Sequence, residues 1–597
     1  MASTRANFQF AAILLSIIII LTICAELIKR RLKSNNYDYA DIIIIGTGPG
    51  GCVCARRLHD EFPGKRVLVF ERGADRHTDS KVFNVAKALE VAYSSPYSEV
   101  LETKTSHDLR ELDIHPTVSV ASMNGGASSH NFGLAVHGSP AFYDQKWKPH
   151  LGIGFKQLKR HFKKIEEFAG ESEDKSLRGH KGAVQIDQLP VSVSKLSMIG
   201  PALKKAYSRY TAIEATKIIE RTLIVAVNAG ALRAPENLSD CIVEAIGKTR
   251  PDLPVVSDYN IEVEGCISKR PQIFVDGVLG LRSSADFSYL PITHESNPKI
   301  KQNTTVETLN WKTKKGVITC DSINWIDRNG AGKTKLRKNG RVILCAGGIY
   351  SPIILERSGL KEHNKHIGEG MFNHYGTGLV FETSKDFKFS SGPLAFVPSE
   401  KHGKGREWQL VIGSGLLIDP KVLDRVNLKQ TDGNYIVMLT WILDPQNRGY
   451  VRDNGDGVDI NLRMYEDKGN DDLQSIVESM RWMYQIVKEM KRSALFSGRE
   501  KESDLRIVFP PQDVLERDDQ EEMEDWVKIG LNQTDHYSGT CALGKVVDGK
   551  DFTVMGTSNI HVVDASTFPA IPNGNTEFPT LIMAEEAAER IIQAIRR

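Results

Sequence analysis

The sequence predicts an α/β protein with three parts: a Rossmann-like nucleotide-binding unit, a second α+β domain carrying an antiparallel sheet, and an N-terminal transmembrane helix. Three observations predict them. Residues 41–71, DIIIIGTGPGGCVCARRLHDEFPGKRVLVFE, read as strand, glycine turn, helix, strand. Runs between about 375 and 465, such as EWQLVIGSGLLI and YIVMLTWIL, alternate in strand fashion. Phe8–Ile28, FQFAAILLSIIIILTICAELI, is almost wholly apolar.

The apolar run comes first in the chain. As a helix it would cross about 30 Å of hydrocarbon. Lys29, Arg30, Arg31 and Lys33 follow it at once, and only Arg5 precedes it. This asymmetry predicts a single-pass anchor with the body on the cytoplasmic side. A cleaved signal peptide is the competing reading, but its apolar region would be shorter and its positive charges would come first.

Each glycine of the βαβ unit has a physical task. Gly46 permits the tight turn, Gly48 lets the backbone approach a pyrophosphate at the helix N-terminus, and Gly51 lets helix and strand pack closely. Glu71 lies twenty residues after Gly51, where a carboxylate can accept from both ribose hydroxyls. The unit opens the body and is not followed by a series of repeated βα units, which favours FAD over a nicotinamide.

The middle of the chain is read more coarsely. Pro116–Trp147 contains a cluster of small residues, Gly125, Gly126, Ala127, Ser128 and Ser129, followed by His130 and Asn131. Small side chains let backbone lie against a large flat ligand. FKQLKRHFKKIEEFAG has helical periodicity, RVILCAGGIYSPIILERSGL reads as strand, glycine turn and helix, and Ser351-Pro352 suits a first helical turn. DDLQSIVESMRWMYQIVKEMKRSA is an amphipathic helix with an acidic start and a basic end, its methionine stripe read as core. A closing helix, LIMAEEAAERIIQAIRR, ends the chain.

Composition sets the outer bounds. At 597 residues the chain exceeds one ordinary core, so two or more domains are expected. A formal net charge of +2 gives no basic excess for a nucleic-acid surface. The eight cysteines are scattered and read as mostly reduced; Cys52 and Cys54 are close in sequence but face apart on a helix. No metal-ligand spacing is present, so no metal is expected.

Taken together, five ordered stretches resemble the glucose-methanol-choline (GMC) oxidoreductases, FAD enzymes that oxidise alcohols. They are the dinucleotide fingerprint, NGGASSHNFGLAVHG, AGGIYSPIILERSGL, IGEGMFNH, and HYSGTCALG with VVDASTFPAIPNGNTEFPT. The resemblance spans about 40 to 595. It implies a doubly wound FAD-binding domain assembled from 40–155, 291–374 and 501–597. The mixed segments 156–290 and the sheet region 375–500 would form the substrate side, with 1–39 as anchor and linker.

The resemblance also implies site roles. Gly46, Gly48, Gly51 and Glu71 should hold the ADP half, and Val306 should meet the adenine through its backbone. Gly126, Ser129, His130 and Asn131 should line the flavin. Asp564 and Ala565 should contact the pyrophosphate and ribityl region, with Thr576 near the ring. His536 occupies the general-base position and Asn575 its partner position. A neutral imidazole can take a hydroxyl proton, and a carboxamide can donate to the substrate oxygen. Partners would be a small, primary alcohol and O2 or another electron acceptor. In some relatives a histidine placed like His130 bonds covalently to the flavin.

The sequence departs from the family at Val120-Ala121 and Asn124, where Arg-Gly and Leu or Trp are common, and at His137, where Arg is usual. Lys361 stands where a glycine often closes the second signature. These departures bear on substrate placement and flavin potential rather than on the fold. With the added span, they also motivate an alternative: an anchored flavoprotein with a mainly structural or assembly role.

Overall fold

The structure is a computed structural model that describes residues 37–76, 79–188, 234–276, 281–290, 298–385, 387, 391–399, 405–414, 435–496 and 504–597. The expected membrane span, Phe8–Ile28, lies outside the described residues. Among those described, no helix is long and apolar enough to cross a membrane.

The nucleotide-binding side is built on a seven-stranded sheet. Its strand order is Lys299–Lys301, Val67–Phe70, Tyr39–Ile45, Gly330–Leu344, Val317–Asp327 and Thr304–Lys314, with Ile560–Val562 also pairing Gly330–Leu344. The sheet draws on three separate stretches of the chain, as the resemblance implies. It is mixed rather than parallel throughout. Ile42–Ile45 pairs in parallel with Val67–Phe70 and with Arg341–Leu344. The first half of Gly330–Leu344 instead turns back antiparallel on Val317–Asp327, which pairs antiparallel with Thr304–Lys314.

The side chains explain this division. Ile42–Ile45, Val67–Phe70 and Val342–Leu344 are unbroken apolar runs buried on both faces, the pattern of a covered parallel sheet, and Ile560–Val562 is buried throughout with His561 its one polar residue. Thr304–Lys314 and Val317–Asp327 alternate buried and exposed and end in a lysine-rich turn, the pattern of a half-solvated hairpin. Helices Pro49–Glu61 and Glu577–Arg596 pack on one another and join through Arg57, which holds the fully buried Glu585 with a two-point ion pair of 2.7 and 2.9 Å.

The second sheet has eight strands. Its order is Arg506–Phe509, Tyr375–Glu382, Tyr435–Ile442, Arg406–Ser414, Leu394–Pro398, Cys266–Ser268 and Val255–Val256, with Asn532–Gln533 also pairing Tyr375–Glu382. It therefore extends beyond the expected 375–500 region at both ends. Its four central strands pair antiparallel. The long helix Asp471–Lys491 backs this sheet. Leu473, Ile476, Met480, Met483, Val487 and Met490 share one buried cluster with Leu379, Phe381, Ile412 and Met438, so the methionine stripe is core.

One local expectation needs correction. Pro352 does not start a helix: it lies inside the helix Gly347–Arg357. A proline there has no N–H to give to the carbonyl four residues back, which is that of Gly348. The hydroxyl of Thr540 supplies the missing donor, reaching Gly348 O at 2.7 Å.

Candidate active site

The two sheets enclose a cavity of about 960 Å³. On the nucleotide side its wall includes Gly46, Gly48, Glu71 and Val306; next come Gly126, Asp564 and Ala565; on the side of the eight-stranded sheet come Val411, Leu439, Trp441, His536, Asn575 and Thr576.

The nucleotide side is a cradle made of backbone. Gly48 caps the helix Pro49–Glu61 with no side-chain hydrogen bond, so the N-terminal amides and the positive end of the helix dipole are left for an anion. A Cβ on Gly126, whose φ is +54°, would lie 2.8 Å from Gly48 Cα, so two glycine turns nearly touch at the cavity floor. Gly51 performs the close packing expected of it: a Cβ there would lie 2.0 Å from Gly46 O. Glu71 is held ready. Its Oε2 accepts from Thr47 N at 2.9 Å and Thr47 Oγ1 at 2.6 Å, and its Oε1 accepts from Gly73 N at 2.8 Å. Asp564 is fixed likewise, accepting from Gly347 N, Ser351 Oγ and Ser566 N.

The small-residue turn differs from expectation at one position, Ser129. Ser129 does not line the cavity; its hydroxyl lies 2.8 Å from Asn124 O, to which it donates, and 3.3 Å from Asp286 Oδ1. It braces the turn from behind. Asn131 does line the cavity, but its carboxamide is committed. Oδ1 accepts from Arg282 and Gly133 N, and Nδ2 donates to Glu577 Oε2 at 2.5 Å. Burial, opposed by the Asn131 hydrogen bond and the Arg282 charge, pushes the Glu577 carboxyl up to about 7. His130 receives or donates one hydrogen bond, Nδ1 to Ser98 Oγ at 3.0 Å, and burial with Arg282 nearby lowers its pKa to about 3.

At the other side of the cavity, His536 follows a short antiparallel lacing of two segments. Tyr375 and Gly376 pair with Gln533 and Asn532, and Phe372 pairs with Ser538. Between these pairs, 534–537 carries two more residues than 373–374, and Asp535 takes a left-handed φ of 56°. That bulge turns His536 back onto His374: the two Nδ1 atoms are 2.9 Å apart. The backbone N–H of His536 donates to Asn373 Oδ1 at 2.8 Å. Burial lowers the His536 pKa to about 3, so the ring is neutral. Asn575 lines the same cavity, and its Oδ1 accepts from Gln409 Nε2 at 3.0 Å.

Three polar residues here escaped the sequence reading. Gln409 is a buried polar residue in an otherwise apolar stretch of strand, which is a readable signal. His374 ends a quoted motif but had no assigned task. Glu577 follows Asn575 and Thr576 directly and gives no signal until its burial is known. A separate cluster, His161 with Glu586 and Glu589, has metal-like spacing, but Arg160, Lys164 and Arg590 already neutralise its carboxylates.

These residues fit FAD. A helix N-terminus with no side-chain cap suits its diphosphate, the braced Glu71 carboxylate suits ribose hydroxyls, and the crossing of Gly48 and Gly126 leaves room for backbone contact along an extended ligand. Comparison with known proteins agrees. Two models of the family described as GMC oxidoreductase match residues 40–376 and 445–584. An oxygen-dependent choline dehydrogenase of Staphylococcus xylosus is 26% identical, covering 93% of this chain and 95% of its own. Pyranose dehydrogenase 3 of Leucoagaricus meleagris is 24% identical, covering 94% of each. The crystal structure of pyridoxine 4-oxidase from Mesorbium loti superposes with a TM-score of 0.71 at 20% identity, over 92% of this chain and 98% of that one. Matched along most of its length and built around the cradle in which that family binds FAD, the chain belongs to the GMC oxidoreductases.

Proposed function

We propose that the protein oxidises the CH–OH group of a primary alcohol to the carbonyl. One observation carries this reading: His536 and Asn575 line one cavity together with the glycine cradle. Gly46, Gly48, Glu71, Val306, Gly126, Asp564, Ala565 and Thr576 would hold FAD, which supplies the hydride acceptor when bound. His536, neutral and partly buried, takes the hydroxyl proton. Asn575 has its oxygen turned to Gln409, so its NH2 is the group left to donate to the substrate oxygen as negative charge develops there. Val411, Leu439 and Trp441 form an apolar wall that excludes water from the reacting groups. Choline, pyranoses and pyridoxine, the compounds in the relatives' names, all carry a CH–OH group, which supports the reaction class but leaves the alcohol of this protein open.

The electrons then pass to O2 or another acceptor. His130 is the residue through which FAD would be covalently attached, since Ser98 occupies only its Nδ1. Colour that stays with the denatured polypeptide would support attachment, and complete release of flavin would exclude it. We also place the body at the cytoplasmic face of a membrane, held by Phe8–Ile28; membrane fractionation with and without this segment tests that placement. The reaction itself is tested by an anaerobic screen of alcohols for flavin bleaching, followed by admission of oxygen and peroxide detection. Bleaching by a primary alcohol is expected. A loaded flavin that no alcohol in a broad panel reduces would overturn the reading.

A further inference from the structure

The contact between His374 and His536 uses the same nitrogen on both rings, and this restricts their protons. The Nδ1 atoms are 2.9 Å apart, and the rings meet edge to face, with centroids 5.1 Å apart at 85°. The lacing leaves little freedom. Thr534 N and Thr534 Oγ1 both donate to His374 O, and Phe372 and Ser538 exchange backbone hydrogen bonds. His374 is 1% exposed.

Two neutral imidazoles in this contact hold one proton between them, on one Nδ1 or the other. If His374 Nδ1 carried it, His536 would be protonated at Nε2 and could not act as a base there. His374 Nε2 is buried with no hydrogen-bond partner among the described residues, so the only polar contact of its ring there is the one to His536. With Nδ1 of His536 spent on that contact, Nε2 is the nitrogen of His536 left to act as the base; its own proton then sits on Nδ1, and His374 Nδ1 must present a lone pair to it.

We propose that His374 is a positioning residue: by accepting from Nδ1–H of His536, it leaves His536 Nε2 bare as the nitrogen that takes the substrate proton. The proposal rests on His536 being the base. When His536 gains a proton at Nε2, its Nδ1–H stays on His374 Nδ1, so the contact survives the proton transfer and supports the charged ring. Burial and the neighbouring His536 hold His374 itself neutral.

The test is made on the FAD-loaded full chain. Histidine 15N NMR, assigned with His536→Ala, should show a protonated Nδ1 and an unprotonated Nε2 for His536; the reverse pattern overturns the proposal. This reading needs no substrate, so it stays separate from failure of the oxidation itself. For turnover with a substrate found in the alcohol screen, His374→Leu should lower kcat roughly 10- to 100-fold with KM little changed. His374→Asn, whose side-chain oxygen can accept in place of Nδ1, should recover most of that loss. Equal impairment by Leu and Asn, or wild-type turnover in His374→Leu, would overturn it.

Discussion

Gln409 Nε2 donates to Asn575 Oδ1 across 3.0 Å, tying the eight-stranded sheet to the loop before the last helix. The bond sets which end of the Asn575 carboxamide is free. Asn575→Ala should therefore lower kcat by roughly 10²–10³, the usual cost of losing one donor to a developing oxyanion. Gln409→Leu should cost less, about tenfold, because Asn575 remains but loses its orientation. Rapid-reaction measurement of flavin reduction distinguishes the two, and equal wild-type rates in both variants would remove Asn575 from the chemistry.

The cradle predicts a variant that folds without its cofactor. Gly126→Ala places a side chain at φ +54° and against Gly48 Cα. The strain and contact should cost about 1–3 kcal/mol, enough to weaken FAD binding about tenfold or more. Far-UV circular dichroism should be unchanged while flavin content falls. Full flavin content would contradict the close crossing of the two turns.

Acid should reach His536 late. Its pKa is lowered to about 3, so the base form persists well below the ordinary histidine range. The profile of kcat/KM should stay flat on its acid side from about pH 8 to about pH 5, since it reports the free enzyme. An inflection near 6.5 that survives Glu577→Gln would contradict the neutral, desolvated imidazole.

Glu577 should make stability depend on pH in the opposite sense to a salt-bridged acid. Its folded pKa, about 7, lies above its unfolded value. The stability it contributes is fully present below the unfolded pKa of about 4.3 and is lost as pH rises through about 7. Glu577→Gln removes that slope, so the variant should gain Tm relative to wild type between pH 5 and pH 8 in thermal melts. A constant difference across this range would show that the carboxyl does not titrate there.

Thr540 should matter for folding rather than chemistry. It is fully buried and gives Gly348 O the donor that Pro352 lacks. Thr540→Val keeps the shape and removes the donor, so unfolding should become easier by about 1–3 kcal/mol. Denaturant unfolding of the variant measures it, and unchanged stability would mean that the carbonyl has another partner.

Legibility followed the physics of each feature. The glycine turn was readable because only glycine tolerates those backbone approaches, as the 2.0 Å clash expected at Gly51 shows. The long helix Asp471–Lys491 was readable from its period. The mixed character of the nucleotide sheet was not, because the strand Gly330–Leu344 changes partners midway and pairing leaves no mark in one strand's own sequence. Ser129 looked like a cofactor contact because its neighbours Ser128 and His130 line the cavity; the buried Asp286, 157 positions away, marks the side it faces. His374 and Gln409 acquire meaning only when distant segments meet, and no local pattern announces that meeting.

The central claim is that His536 removes the hydroxyl proton as the hydride leaves. Anaerobic mixing of an identified alcohol with wild type and with His536→Ala, both loaded with FAD, measures this directly. The account predicts rapid flavin bleaching in wild type and a loss of roughly 10²-fold or more in the variant, with the flavin still bound. Bleaching at an unchanged rate in His536→Ala would contradict it.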